Sequence, residues 1–295
     1  MIIIKLWGGL GNQLFQYAFG YQLAKKTGQE LKFDCSFYGN QPGFTGKRAV
    51  EISSLSIPIF EQYAPERMIK VLSNRYIGAI LRKLPAVFIP VRNGMKYLKE
   101  PIHKYLPDLQ CDGSVYFDGY WQSAKYFRDV RNELMEQYLP RKGFSEVELD
   151  LFAMLQAENS VAVHIRKGDF ATNTVRKVGH LLPISYYKNA MEYFRKNINA
   201  PIFYIVSDDP TWAKQQFKEE NDVKYIADLH QGNMLTDLYC IANCRNGIMS
   251  ASTFSWWGNW LREKKGMVIV PRGEYYNECF YEPEWIQIDF NEVIK

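Results

Sequence analysis

From residue 160 onward, short β-branched runs take turns with helical stretches of roughly ten residues. Val161–Ile165, Ile202–Val206, Val223–Ile226, Ile248–Met249 and Met267–Val270 are the runs expected as strands. Between them, Pro183 opens a stretch to Asn197 in which Ile184, Tyr187, Met191 and Phe194 share one helical face. Ser207-Asp208-Asp209-Pro210 reads as the cap of a helix through Phe217, and Leu235–Cys244 and Ser252–Lys264 as two further helices. A strand that reaches its neighbour through a helix lies parallel to it, and a parallel sheet needs cover on both faces. The pattern predicts a doubly covered parallel α/β sheet.

The first half opens in the same way. Ile2–Leu6 reads as a strand running into Gly8-Gly-Leu-Gly-Asn-Gln13, followed by a helix from Asn12 to Thr27 and a strand at Leu31–Phe33. Pro42, Gly43 and Gly46 mark a loop, the basic segment after it reads as helical, Ser114–Trp121 as a strand and Ala124–Tyr138 as a helix. A break at Pro140–Gly143 divides the chain into residues 1–142 and 143–295. The expected architecture is α/β: two Rossmann-like domains facing a cleft, with the last residues free to pack back on the first domain.

An apolar share of 47% over 295 residues supplies the cores that two such domains need. Lys+Arg less Asp+Glu is 36 − 32 = +4, too little for a nucleic-acid binder. Five cysteines without a C-x-x-C spacing speak against a disulfide framework and for a reducing, cytoplasmic setting. The apolar start Met1–Trp7 is cut by Lys5 and then by Gly8, Gly9 and Gly11, so it reads as a buried strand and not a leader. Tyr76–Val91 holds Arg82, Lys83 and two prolines and cannot span a bilayer. Charge is unevenly placed: residues 67–104 carry nine basic side chains against Glu100 alone, +8 in a chain of +4. A solvated face accounts for that. So does attraction to an anionic membrane surface or an acidic acceptor, a field that salt screens beyond about 8 Å.

Open parallel sheets bind ligands at the C-terminal ends of their strands. In the second half those loops carry His164-Ile-Arg-Lys-Gly-Asp169, Ser207-Asp-Asp209, Asp228, Ser250-Ala-Ser-Thr-Phe-Ser255 and Pro271-Arg272. Arg166 can grip phosphate oxygens with two parallel N–H donors, and Lys167 adds a point charge. Ser252 and Thr253 offer hydroxyls at a helix start, where backbone N–H groups favour an anion. Alone they would pass for plain N-caps; beside Arg166 they resemble a diphosphate clamp. Asp208 and Asp209 fit an N-cap pair and a base or ribose acceptor equally well. Gly8-Gly-Leu-Gly fails the G-x-G-x-x-G spacing, since Leu14 stands where the third glycine belongs, although glycines here still let a ligand approach the backbone.

Four segments together resemble the bacterial α-1,2-fucosyltransferases of glycosyltransferase family 11: Gly8-Gly-Leu-Gly-Asn-Gln-Leu-Phe-Gln-Tyr-Ala18, Gly119-Tyr-Trp-Gln-Ser123, His164-x-Arg-x-Gly-Asp169 and Ser252-Thr-Phe-Ser-Trp-Trp257. Asp237-Leu-Tyr239 also looks like the family's pattern, and the resemblance runs from residue 1 to about 261. It implies a GT-B fold, with GDP-fucose on the C-terminal half and the acceptor facing the N-terminal half. It further implies inverting transfer from GDP-β-L-fucose to the 2-hydroxyl of a terminal galactose, on an oligosaccharide or lipid-linked glycan, without metal or other cofactor. Carried over position by position, the resemblance gives the nucleotide to His164 and Arg166, with Arg166 on the diphosphate and Asp208 near the guanine; Lys167 and Asp209 join them as donor-binding candidates on the reading of the loops themselves. Ser252, Thr253, Phe254 and Ser255 line the phosphate side, and Asn12 with Gln13 stands near the fucose. The family's usual arginine is Lys167 here, its asparagine before the serine is Ala251, and its histidine falls near Asn246.

Charge develops on the β-phosphate as the sugar bond breaks, so a fixed cation should lower the barrier most, and Arg166 is the residue expected to supply it. The attacking hydroxyl needs a proton acceptor; of the local candidates, Asp169 and His164, Asp169 is put forward, though each also has a structural reading. Tyr120, Trp121 and Gln122 end a first-half strand and are expected to meet the acceptor sugar. Trp256, Trp257 and Trp260 continue a helix into the core, Cys240 and Cys244 read as buried thiols, and His103, His180 and His230 form no metal or triad spacing. Three other readings stay open: another GDP-fucose-dependent linkage, a nicotinamide-dependent oxidoreductase, and a carbohydrate-binding protein without catalysis. The second lacks its glycine fingerprint, and the third leaves the Arg–Lys loop unexplained.

Overall fold

The computed structural model describes residues 1–39, 48–58, 61–101, 104–109, 111–167, 181–230, 233–264, 266–272 and 279–289. The chain divides into two compact units. One is Met1–Lys142, to which Cys279 and Phe280 return; the other runs from Gly143 and resumes at Tyr281.

The first unit holds the strands β1 (Ile2–Lys5), β2 (Leu31–Asp34), β3 (Glu61–Gln62), β4 (Ile89–Pro90), β5 (Lys96–Lys99) and β6 (Val115–Asp118). They form one sheet in the order β3-β2-β1-β6-β5-β4, parallel throughout except for the β4–β5 pair. Ile2, Ile3 and Ile4 of the central β1 are buried without alternation because both faces are covered. On one face lies the helix Leu10–Thr27, closed by Gly28 in the left-handed conformation at φ 67°. Gly20 is its point of contact: a Cβ there would stand 2.6 Å from Ile4 Cγ1 and 3.0 Å from Leu31 Cδ1 and would lever the helix off the sheet. On the other face Ile3, Met95, Tyr97 and Tyr116 pack with Ile69, Leu72 and Leu81 from the short helices Arg67–Leu72 and Arg75–Leu81.

Three sequence expectations need correction here. The basic segment is helical only as far as Leu81, after which β4 and β5 form; β4 is two residues long, too short to carry a period. The strand expected through Trp121 stops at Asp118. Buried Glu100 accepts from the N–H groups of Tyr120 at 2.6 Å and Trp121 at 3.0 Å, and Trp121 turns to φ 58°. The helix expected over 124–138 breaks into 3₁₀ turns at Ala124–Tyr126 and Arg128–Val130 before the helix Arg131–Gln137.

The second unit holds β7 (Ser160–Ile165), β8 (Ile202–Ser207), β9 (Val223–Tyr225), β10 (Asn246–Ile248), β11 (Val268–Pro271) and β12 (Ile286–Ile288). Their order is β12-β11-β10-β7-β8-β9, and every pair is parallel, as the alternation predicts. The helix Ile184–Asn197 drives Tyr186, Tyr187, Ala190, Met191 and Phe194 into the core against Val161, Val163 and Ile205. A capping box at Ser145 and Glu148 starts the helix Glu146–Ala157. Trp256, Trp257 and Trp260 are core residues. Cys240 and Cys244 are buried, and burial pushes the Cys244 thiol up to about 12, so these are inert packing groups. No helix among the described residues is long and apolar enough to cross a membrane.

Candidate functional site

In the second sheet β7 lies between β8 and β10, so the loops that leave these three strands meet at one edge. Arg166 Nη1 stands 3.2 Å from Asp208 Oδ2, and the Lys167 backbone N–H donates to Asp208 Oδ1 at 2.8 Å. The Lys167 ammonium pairs with Asp209 at 2.7 Å and lies 5.0 Å from the centre of the Trp212 ring. Asp209 also accepts from Trp212 N at 2.9 Å, which makes it the N-cap of the helix Pro210–Gln216. The hydrogen bond from Lys167 holds its carboxyl below the usual carboxylate range. Asp208 engages the Arg166–Lys167 loop through both oxygens and so holds the cations in place.

His164 is buried, with Nδ1 2.7 Å from Ser250 Oγ. Burial, reinforced by the Arg166 charge, pushes its imidazole down to about 3. A ring that weakly basic is a poor proton acceptor at neutral pH, so His164 serves here as a hydrogen-bonding link from β7 to the serine loop. Ser255 is fully buried and accepts from Ser250 N at 3.2 Å, which folds the loop on itself and withdraws that hydroxyl from any ligand. Ser252 caps the helix Thr253–Trp260 by accepting from Phe254 N at 3.3 Å. Ser252, Thr253 and Phe254 remain half-buried at the edge, the Phe254 ring 5.4 Å from that of His164. Asp169 lies outside the described residues, as do His103 and His180.

A pocket of about 230 Å³ opens beside this loop, lined among others by Ser207, Pro210, Tyr225, Ile226, His230 and Asp237. Burial pushes the Asp237 carboxyl up to about 6, against the pull of His230. His230 Nε2 is buried without a hydrogen-bond partner among the described residues, and Glu148 Oε1, at 3.7 Å, is beyond hydrogen-bond reach. Neither side chain reads from the sequence as a ligand contact, although Asp237 opens the Asp237-Leu-Tyr239 segment that resembles the family's pattern. The available signal was Asp237 itself, an acid set between Leu235 and Leu238 on an apolar helix.

At the corresponding edge of the first sheet, Gly8 adopts φ 86°, and a Cβ there would stand 2.5 Å from Asn12 Nδ2. Asn12 Oδ1 accepts from Gln122 Nε2 at 2.9 Å, so two of the expected site residues do meet. Gln13 is fully buried; its amide donates to the Gly8 and Ala49 carbonyls at 3.1 and 2.9 Å, and its oxygen accepts from Glu51 N and Ile52 N at 2.8 and 3.2 Å. That exhausts its hydrogen-bonding capacity, so it staples the loop instead of reaching a sugar. Trp121 is also fully buried, stacked on Phe19 at 4.2 Å with its edge to Phe117. The aromatic surface at this edge is Tyr120 with Trp7, stacked at 3.9 Å, and Trp7 donates from Nε1 to the Gly119 carbonyl at 3.2 Å. Trp7 directly follows a strand's apolar run, which is the signal that could have found it. Arg48 is a second addition: a Cβ on Gly9 would stand 2.8 Å from its Nη1.

Beneath this edge Asp118 is fully buried between Lys99 at 2.7 Å and Lys5 at 3.2 Å, and the Tyr97 hydroxyl donates to it at 2.7 Å. Neighbouring Glu100 has no such ion pair among the described residues, and burial pushes its carboxyl up to about 7. Among the described residues no group of three or more His, Cys, Asp or Glu side chains could hold a metal ion.

A family model described as Glycosyl transferase family 11 matches residues 1–289. An alpha-1,2-colitosyltransferase of Escherichia coli is 29% identical over 304 residues, which cover 98% of this chain and 99% of the relative. A galactoside alpha-(1,2)-fucosyltransferase 2 of Gorilla gorilla gorilla is 26% identical over 314 residues, covering 100% of this chain and 82% of the relative. The crystal structure of fucosyltransferase NodZ from Bradyrhizobium matches with a TM-score of 0.51 at 14% identity, over 87% of this chain and 91% of that one. That likeness is one of fold, and two parallel-sheet α/β units of this kind make the fold GT-B-like.

Proposed function

The chain belongs to glycosyl transferase family 11, and we propose that it transfers L-fucose from GDP-β-L-fucose to the 2-hydroxyl of a terminal galactose, inverting the anomeric carbon. One loop carries this reading: Ser207 and Pro210 wall the pocket, and Asp208 and Asp209 between them hold Arg166 and Lys167. A pocket with an adjoining cation pair suits a nucleoside diphosphate, the base in the pocket and the diphosphate on the Arg166 fork. Residues 143–295 then form the donor domain. Residues 1–142 form the acceptor domain, with Trp7, Tyr120 and Gln122 offered to the galactose and Asn12 to the fucose. The relatives named for α-1,2 transfer of colitose and of fucose support the linkage.

The bond from the fucose anomeric carbon to the β-phosphate oxygen breaks, and its electron pair goes to that oxygen. Arg166 and Lys167 stabilise the charge that appears there, and their ion pairs with Asp208 and Asp209 fix them before the reaction begins. The galactose hydroxyl attacks from the opposite face and gives up its proton, for which Asp169 remains the acceptor in this scheme. The products are an α-fucoside, GDP and a proton, with no cofactor required.

Guanine presents two N–H donors side by side, which one carboxylate can accept together, and Asp237 is the carboxyl that lines the pocket. Asp237→Asn keeps the size but replaces one acceptor with a donor. It should weaken GDP binding about 10- to 100-fold and leave UDP binding unchanged in titration calorimetry. In the unaltered protein, GDP affinity should fall as pH drops through about 6, where Asp237 takes up a proton. Native GDP affinity in the variant would move the base elsewhere.

The test of the function is a transfer assay on lactose with GDP-fucose and GDP-colitose in parallel, with and without excess EDTA. Fucose should be transferred at an undiminished rate in EDTA. Activity that returns only with Mn²⁺ or Mg²⁺ would contradict the metal-free clamp. Efficient use of GDP-colitose alone would leave the family intact and correct the donor sugar.

A further inference from the structure

Surface helices ordinarily turn polar side chains outward, whereas the two short helices Arg67–Leu72 and Arg75–Leu81 expose large apolar side chains as well. In Arg75–Leu81 and the residues after it, Tyr76, Ala79, Ile80 and Lys83 are exposed at spacings of three, four and seven, one stripe along the outer face. Tyr76 is 77% exposed and Ile80 64%, whereas Gly78 is buried and Leu81 packs toward Ile69, Met95 and Tyr97. The helix Arg67–Leu72 repeats the arrangement, with Met68 and Val71 exposed over buried Ile69, and Leu84 and Val87 extend the surface. Of the twelve exposed large hydrophobic side chains recorded among the described residues, six fall between Met68 and Val87. Half of the exposed large apolar side chains thus come from one short stretch of chain, a concentration and not the usual scatter.

Cations share this stretch of chain. Arg67, Lys70, Lys83, Arg92 and Lys104 are exposed, while Glu100, the acid of residues 67–104, is buried under Tyr120 and Trp121. Lys99, one of the nine cations in the sequence, faces inward to Asp118 and adds nothing to the outer field.

We propose that this face docks on an anionic lipid bilayer, the apolar stripe entering the boundary between headgroups and acyl chains and the cations meeting lipid phosphates. A second copy of the chain packed here about a two-fold axis would set these cations against their own counterparts, an opposed arrangement, whereas a negative lipid plane is complementary to them. With no membrane-crossing helix among the described residues, the contact is interfacial. Docking stands apart from the donor chemistry. It rests on the proposed function only in its consequence, that a lipid-linked galactoside would be met by the acceptor unit at the bilayer.

The experiment is co-sedimentation with vesicles of phosphatidylcholine alone and of phosphatidylcholine mixed with phosphatidylglycerol, with transfer to lactose measured on the same samples. The protein should bind the anionic vesicles and not the neutral ones. The pair Tyr76→Ser with Ile80→Ser, and separately the pair Lys70→Gln with Lys83→Gln, should each lower that partition about tenfold or more. Both pairs should transfer fucose to lactose at the native rate. Equal partition onto both vesicles, or variants that bind as well as the native chain, would overturn the proposal. So would a native dimer that Ile80→Ser dissociates, which would make the stripe a contact between copies, or a variant that loses lactose turnover. Failure of the native protein to act on lactose at all would count against the proposed function and leave the vesicle result standing.

Discussion

Arg166→Lys should cost about 100- to 1000-fold in kcat/KM for GDP-fucose, the loss typical of removing one preorganised partner of a developing anion. Lysine keeps the positive charge, so if charge alone mattered little would change. Shape is what the substitution removes: a guanidinium presents two parallel donors to two phosphate oxygens, and Asp208, 3.2 Å from Nη1, holds it in place beforehand. The side chain is partly exposed, so the substitution should shift the melting temperature little and the loss can be assigned to chemistry. Lys167→Arg is the informative companion. Lys167 acts as a point charge paired with Asp209, and arginine can make the same pair, so activity should be kept or improved. Near-native kcat/KM in Arg166→Lys would remove the diphosphate from this loop.

The largest effect on stability is expected at Asp118→Asn. Asp118 is fully buried and receives Lys99, Lys5 and Tyr97, so the neutral amide leaves two lysines facing a site that no longer balances them. Breaking a buried pair in this way costs about 3–5 kcal/mol. For a domain of this size that lowers the melting temperature by about 10 °C. Burial alone would raise the Asp118 carboxyl, but the ion pairs with Lys99 and Lys5 outweigh it and hold it below the ordinary 3.8. A carboxyl depressed in the folded state stabilises above its unfolded value and loses that contribution as pH falls through the folded one. The gap between native and variant should therefore stay level above about pH 5 and close as the solution is taken below 3.8. A gap that widened in acid would mean the pair is not charged as described. Scanning calorimetry across that range measures it.

Five strands of the second sheet were legible because their signals agree; the edge strand β12, with exposed Gln287 between two isoleucines, was not expected from the sequence. β7, β8 and β11 are buried along nearly all their length and read as apolar runs, and the unit's helices carry caps such as Asp209 that announce their starts. In the first unit the local pattern and the tertiary outcome part company. Ser114–Trp121 looks like one strand, but Glu100, twenty residues earlier, captures the N–H groups of Tyr120 and Trp121 and turns the chain into the core. No sequence period records that contact.

The candidate site divides along the same line. Arg166, Lys167, Asp209 and Ser252 lie where strand ends and capping rules put them. Gln13 and Ser255 carry chemistry that could serve a ligand, yet their partners are backbone groups, those of Gly8 and of the 49–52 segment for Gln13 and that of Ser250 for Ser255, a matter of which way a side chain faces. Trp7 and Asp237 were readable in principle, one just past a strand and the other an acid on an apolar helix, but each needed the fold to say which face was open. The Lys5, Lys99 and Asp118 cluster left a trace too, since each charge closes a strand, after an apolar run in β1 and β6.

Linkage analysis of the product formed from GDP-β-L-fucose and lactose tests the central claim most directly. Two-dimensional NMR should show an α-configured fucose whose anomeric proton correlates with carbon 2 of the galactose. A correlation to another galactose carbon, a β-configured product, or GDP-fucose left intact beside lactose would contradict it.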